Sequence, residues 1–327
     1  MADTVNVAFI GCGGNARGHM NSLNELENAT VVAVCDLIED NANKAAELTG
    51  GEAYTDFNKM LERDDLDAIY HSLPVHAHGA PELAVIDRGL PFFVEKPVAR
   101  DMETAGKMLA AVEEKNLITC VGYQLRYGGG TKSAKALLDG RTIALVVGQY
   151  WSGTGRGNPD AWQRIYAKSG GQILEQATHT LDMMRYLCGD VREVITSRAS
   201  RELKDIDCPD IHSIIINFES GAVGSMTCTW AYDDRDWSHA NIVYVTYQDR
   251  LIRWTGPSVT LSGGGEEVQQ LAEETESIDA VFVNAVQSGD GSAILSPYSD
   301  AIKSLAFCLA INESGETGQP VQLSPTR

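Results

Sequence analysis

The chain contains no run of 18 apolar residues, no C-x-x-C pair and no cluster of basic residues. Each absence excludes something. Without an apolar run that could cross a bilayer, and without a signal-peptide pattern at its start, neither a membrane-spanning nor a secreted protein is expected. The seven cysteines (Cys12, Cys35, Cys120, Cys188, Cys208, Cys228 and Cys308) are odd in number and scattered. Several sit inside apolar segments, so they read as reduced core residues of a cytoplasmic protein, not as disulfides or zinc ligands. His76-x-His78 finds no third or fourth ligand at suitable spacing, and no metal is expected. Lys and Arg number 26 against 45 Asp and Glu, a net charge of −19 that argues against nucleic-acid or anionic-membrane partners. Between Arg253 and Lys303 basic residues are lacking altogether, while Glu266, Glu267, Glu273, Glu274, Glu276, Asp279, Asp290 and Asp300 fall there. That stretch reads as a solvated acidic face.

What is present begins with alternation of strand and helix. At 327 residues the chain can hold two domains, each with its own core. Val5–Ile10 is an apolar run that ends in Gly11-Cys12-Gly13-Gly14-Asn15-Ala16, and a helix is expected from Arg17. In a strand–turn–helix setting, G-x-G-x-x-A allows a tight turn and close backbone approach, and the helix N-terminus offers free N–H groups to a pyrophosphate. The second strand, Thr30–Cys35, runs into Asp36, 20 residues after Ala16, where a carboxylate can accept bonds from ribose hydroxyls. No Arg or Lys follows in Leu37-Ile38-Glu39, so NAD is expected rather than NADP. Further strands are read at Tyr54, Asp67–Ser72, Phe92–Val94 and Ile118–Val121, separated by helices. Six such strands imply a doubly wound parallel sheet whose ligands gather at the strands' carboxyl ends. Asp36, Pro74, Lys96 and Gly122–Tyr127 all follow strand ends and should converge there. His19, on the first helix, is expected at the surface or as a cap.

After Gly122 the pattern changes. Strand-like runs at 143–150, 191–199, 212–218, 222–230, 242–247 and 251–254 are separated by short turns such as Glu219-Ser-Gly221. These fit antiparallel pairing, with helices at 131–138 and 178–187 on one face and the other face left bare for oligomerisation. The fold class expected is therefore α/β, an N-terminal Rossmann doubly wound parallel sheet (1–122) plus a C-terminal α+β domain (123–327) with an open, mainly antiparallel sheet. Two loops are expected to meet a substrate. One offers Tyr123, Gln124 and Arg126. The other, Gly153–Gly171, carries Trp162, Arg164 and Tyr166, an aromatic and cationic set suited to a sugar ring.

Glu175, His179 and Asp182 are spaced four and three apart, so one helix face would carry an imidazole between two carboxylates. Such an imidazole can exchange a proton near neutral pH. Leu174, Leu181, Met184 and Leu187 would form the buried stripe opposite.

The turn Gly11–Ala16, Pro74-Val-His-Ala-His78 eleven residues before Gly89, and Glu95-Lys96-Pro97 at a strand end together resemble the Gfo/Idh/MocA family of oxidoreductases. The likeness resumes at Gly170-Gly171, at Glu175…His179…Asp182 and at 313–321. It implies that Lys96 lies beside the nicotinamide and substrate, and that a D-x-x-x-H motif supplies the proton-transfer group. Here that motif opens with Glu175, whose carboxylate reaches about one bond length further. Catalytic roles then fall to Lys96, His179 and Glu175. The cofactor contacts are Gly11, Gly13, Gly14, Asn15, Ala16, Asp36, Pro74, His78, Glu95 and Lys96, with His78 read as a helix-start residue. Glu175 and Asp182 would orient and tune His179, and Asp182 is also expected among the residues that meet the substrate. The activity implied is NAD-dependent oxidation of a secondary alcohol in a sugar, polyol or related cyclic substrate by a homodimer or homotetramer packed sheet to sheet. The alternatives are an NAD-dependent glycosidase of the same family and a non-catalytic dinucleotide sensor.

Overall fold

The computed structural model describes residues 4–153, 161–232 and 239–323, which divide into two compact units. The first unit comprises 1–122 and 276–302. Its strands are β1 (Val5–Ile10), β2 (Ala29–Cys35), β3 (Glu52–Tyr54), β4 (Ala68–His71), β5 (Phe92–Val94) and β6 (Thr119–Val121). They pair in the order β3-β2-β1-β4-β5-β6, every pair parallel. The strands are short, and β1, β4, β5 and β6 are almost wholly buried, as expected when helices cover both faces of a parallel sheet, while the edge strand β3 is mostly exposed. The intervening helices are α1 (Gly14–Asn24), α2 (Glu39–Thr49), α3 (Phe57–Met60), α4 (Ala80–Asp87) and α5 (Met102–Lys115). Asp101 caps α5 by accepting from the Thr104 N–H. The order reverses between β1 and β4, the switch point at which such sheets bind ligands.

The second unit comprises 123–275 and 303–327. It holds α6 (Gly129–Leu138), β7 (Ile143–Trp151), α7 (Tyr166–Ser169), α8 (Thr178–Cys188), β8 (Val191–Ala199), β9 (Ile211–Phe218), β10 (Val223–Thr229), β11 (Ile242–Tyr247), β12 (Arg250–Trp254), β13 (Val259–Gly263) and β14 (Gln269–Leu271). After α9 (Ile278–Ser288) and α10 (Tyr298–Thr317) comes β15 (Val321–Gln322). The nine strands run β14-β13-β12-β11-β7-β10-β9-β8-β15. All pairs are antiparallel except β7–β10, so the sheet is mixed and mostly antiparallel. Helix α8 lies so close to β7 that a Cβ on Gly148 would run into Met184 Sδ. On the opposite face Leu145 pairs with Val223 and Ile195 with Ile215, and these four side chains, with Leu251, remain exposed.

Two expectations change. A second domain running 123–327 did not foresee that 276–302 joins the first unit, where Phe282 of α9 sets its ring edge-on against Tyr70 (5.4 Å) and near Phe93 (6.0 Å). The acidic stretch 254–302 is not one solvated face: Glu266 pairs with Arg250, and Asp279 is buried. All seven cysteines are buried. Among the described residues no helix is long and apolar enough to cross a membrane. Residues 154–160 of the glycine-rich loop lie outside the described residues.

Candidate active site

The glycine turn comes first. Gly11 has φ +92°, and a Cβ there would collide with the Ser72 carbonyl at the end of β4, so only glycine lets β1 and β4 close at this point. Above Gly13 and Gly14 there is open space, and a Cβ at either meets nothing. Gly14 and Asn15 are exposed while Ala16 is buried against the sheet. No side chain caps α1, whose first N–H groups therefore stay available to an anion. Asp36 is fixed beside this turn: Oδ2 accepts from Cys12 N (2.9 Å) and Oδ1 from Ile38 N (2.9 Å). Asn41 Nδ2 also reaches Oδ1 (3.5 Å), while Oδ2 keeps a lone pair for a further donor. Leu37 and Ile38, the neighbours that would face a 2′-phosphate, are exposed and apolar. A dinucleotide fits these residues: a backbone cradle for the pyrophosphate and a carboxylate for the ribose.

Pro74 precedes the short 3-10 turn Val75–Ala77 and is partly exposed. His78 ends that turn with its side chain buried, its Nδ1 2.7 Å from Glu82 Oε1. Glu82 Oε2 accepts from Gly79 N (2.6 Å), and His71 lies 3.7 Å from the same carboxylate. Burial alone would raise the Glu82 pKa, yet the two histidines and these hydrogen bonds bring it to about 2. Among the described residues no group of three or more His, Cys, Asp or Glu could hold a metal.

Lys96 follows β5 and is partly exposed, while Glu95, Pro97, Val98 and Ala99 around it are buried. Glu95 Oε2 accepts from Lys96 N (3.2 Å), and Oε1 lies 2.9 Å from His19 Nε2. The other ring nitrogen of His19 is 2.7 Å from Asp279 Oδ1. His19 is thus a partly buried bridge, its side chain 13% exposed, not an exposed surface residue or a cap. Its signal was legible: Ala16, Met20 and Leu23 form the buried stripe of α1, and position 19 lies on its flank. Burial by itself would lower the His19 pKa, but the hydrogen bonds and charges of Asp279 and Glu95 outweigh it and raise the value to about 10. For Glu95, burial would raise the pKa, and the His19 bond and charge with nearby Lys96 hold it below the ordinary value.

In the second unit, Gly170 and Gly171 both have positive φ, which turns the chain into a π-helical segment, Ile173–Ala177, ahead of α8. Widened turns of this kind recur at functional sites. Most of 170–188 is buried, but Glu175, Gln176 and His179 remain partly exposed. The three expected members do not share one solvated face. Asp182 is 1% exposed, and its carboxylate receives Arg126 Nε (2.8 Å), Arg126 Nη2 (2.6 Å) and Ser304 Oγ (2.5 Å). Asp182 is engaged there, so its part is to anchor α8, and the expectation that it tunes His179 directly or meets the substrate gives way. Arg126, expected to face substrate, is likewise buried against Asp182, whereas Gln124 is exposed.

Tyr123 is buried with its hydroxyl 3.1 Å from Thr178 Oγ1 and its ring edge-on to His179 at 6.3 Å. Burial and the Asp182 charge push its pKa up, so it stays a neutral phenol and is a poor rival base. Gln176, which the sequence reading passed over, accepts from Trp230 Nε1 (2.7 Å) and Tyr150 Oη (3.5 Å) between Glu175 and His179. Arg164 is buried and ion-paired with Asp205, while Trp162 is partly exposed on the turn Trp162–Arg164.

Residues 5–123 match the family described as "Oxidoreductase family, NAD-binding Rossmann fold", and residues 133–246 match the GFO/IDH/MocA C-terminal domain. The chain belongs to the Gfo/Idh/MocA family. A myo-inositol 2-dehydrogenase from Thermotoga maritima is 25% identical over 239 residues, 70% of this chain and 71% of the relative. A 2,7-anhydro-N-acetylneuraminate hydratase from Mediterraneibacter gnavus is 27% identical over 196 residues, 59% of this chain, and the match spans about half (52%) of that relative's length. Among solved structures, a levoglucosan dehydrogenase in complex with NADH and L-sorbose superposes with a TM-score of 0.87, covering 98% of this chain and 99% of its own at 19% identity. That likeness establishes the Gfo/Idh/MocA fold.

Proposed function

We propose that this member of the family is an NAD-dependent dehydrogenase acting on a secondary alcohol of a sugar, polyol or related cyclic compound. The observation that carries the reading is the open glycine cradle at the start of α1 beside the fixed Asp36 carboxylate. The relatives named for inositol and levoglucosan oxidation supply the substrate class. When bound, NAD supplies the hydride acceptor. Gly13, Gly14 and Asn15 would hold its pyrophosphate, Asp36 its ribose, and Pro74, His78 and Glu95 would shape the pocket near Lys96. Lys96 would hold the alcohol oxygen and stabilise negative charge as it develops. His179 would take the hydroxyl proton, with Glu175 setting its electrostatics and Gln124 and Trp162 contacting the substrate.

The test is a screen of polyols and aldoses with NAD, read as NADH absorbance, repeated with variants. Lys96→Ala should cut kcat/KM by on the order of 10²-fold with NADH affinity nearly unchanged. His179→Asn should remove the acid limb of the pH profile together with most of the rate. A His179→Asn profile identical to the parent's would place the base elsewhere. NADPH bound as tightly as NADH in a fluorescence titration would overturn the cofactor preference. Hydrolysis of nitrophenyl glycosides without net NADH would instead favour the glycosidase reading.

The exposed apolar face of the second sheet supports a homodimer or homotetramer formed through it, and the buried cysteines suit a cytoplasmic location. Ile215→Lys should then lower the assembly state in sedimentation, and a parent that sediments as a monomer would end this proposal.

A further inference from the structure

We infer that His19 is a positioning residue for Lys96, acting through Glu95. The inference rests on the dehydrogenase reading, in which Lys96 meets the reacting oxygen. Its basis is geometric. The His19 ring has a carboxylate oxygen at each nitrogen, Asp279 Oδ1 at 2.7 Å and Glu95 Oε1 at 2.9 Å. A carboxylate only accepts, so both ring nitrogens donate and the imidazole carries two protons and a positive charge. The second oxygen of Glu95 accepts the N–H of Lys96 itself. One carboxylate thus has one oxygen on α1 and the other on the residue that carries the catalytic ammonium.

The surroundings leave Glu95 little freedom. A Cβ on Gly122 would sit 2.9 Å from Glu95 Oε2, so the backbone of β6 walls in the carboxylate. Phe93 and Tyr70 pack on the His19 ring at 4.7 and 5.6 Å. The charged and titratable groups facing His19 are Glu95 from the end of β5, Asp279 from α9 and Tyr70 from β4, while Lys96 faces Glu95. With a neutral residue at 19, two buried carboxylates lose their shared cation. Glu95 then turns its charge toward the Lys96 ammonium and draws it away from the substrate oxygen. Because α1 also carries the glycine cradle, His19 ties the helix that would receive the pyrophosphate to the turn that would act on the substrate.

A double-mutant cycle separates positioning from general support of the fold. The four proteins are the parent, His19→Gln, Lys96→Ala and the double variant, assayed for kcat and for KM with NAD on the best polyol of the screen, with NADH affinity from fluorescence. His19→Gln should lower kcat by roughly 10- to 100-fold, because small displacements of a reacting group are costly. NADH affinity should stay within about twofold, and in the Lys96→Ala background the same change should alter kcat by less than about twofold. If His19→Gln does not fold, Glu95→Gln takes its place with the same expected coupling. Losses that multiply in the double variant overturn the inference alone. A Lys96→Ala variant as active as the parent removes the reading and the inference together.

Discussion

The two units hold their candidate catalytic groups by the same kind of contact but with different cations. In the first unit a partly buried imidazole bridges Glu95 and Asp279 next to Lys96. In the second, α8 and its His179 are fixed by Asp182, gripped in a fork by Arg126, hydrogen-bonded by Ser304 and approached by Arg185 at 4.0 Å. Arg185 in turn donates to Ser304 (3.0 Å) and Asp190 (2.8 Å). A guanidinium keeps its charge at every pH a protein survives, whereas an imidazole does not. The proposed base is therefore anchored by permanent charges and the proposed catalytic lysine by a titratable one. The two halves of the proposed chemistry should tolerate pH differently.

The largest expected effect lies in the permanent cluster. Asp182→Asn leaves a buried guanidinium without its counter-charge and should destabilise the protein by about 3–5 kcal/mol in urea unfolding at pH 7. The loss should be the same at pH 10, since arginine does not titrate there. A penalty that shrinks with rising pH would break the comparison.

A smaller effect should mark the titratable cluster. The folded-state pKa of His19, about 10, lies above its ordinary 6.5. Its stabilisation is therefore complete below pH 6.5 and is lost as pH rises through about 10. His19→Gln should cost about 2 kcal/mol at neutral pH and almost nothing above pH 10, flattening the alkaline decline of the parent. Equal penalties at both pH values would show that packing, not charge, is what His19 contributes.

The smallest effect sharpens the contrast from the acid side. Burial, with the charge of Arg198, lowers His212 of β9 from 6.5 to about 4. Its neutral form contributes stability above pH 6.5 that disappears as pH falls through about 4. His212→Gln should lessen the acid decline by about 1 kcal/mol in thermal unfolding followed between pH 7 and 4.

What could be read from the sequence follows the range of the forces involved. The Rossmann strands were legible because a parallel strand buried on both faces is a continuous apolar run and its turns are spelled in glycine. The two-residue β15 and the three-residue β14 are too short to show any period. Helix α9 carries an apolar face, but nothing local says that Phe282 packs on Tyr70 rather than in the second sheet. The spacing of Glu175, His179 and Asp182 was visible, while the partners of Asp182 were not, since Arg126 and Ser304 come from 56 and 122 residues away. For His19 the α1 stripe shows that the ring turns inward, but not its two carboxylates, which lie 76 and 260 residues further along the chain.

The return of 276–302 to the first unit has a consequence for synthesis. When Gly122 leaves the ribosome, all six parallel strands exist, yet Tyr70 and Phe93 still lack the Phe282 ring, and His19 has one of its two carboxylates. Vectorial folding usually completes the N-terminal domain first. Here the nucleotide-binding half must wait, with part of its apolar surface uncovered, until most of the second sheet has been made. A fragment cut at Gly122 would carry that same uncovered surface permanently, so a shortened cofactor-binding module has to include α9 to be whole.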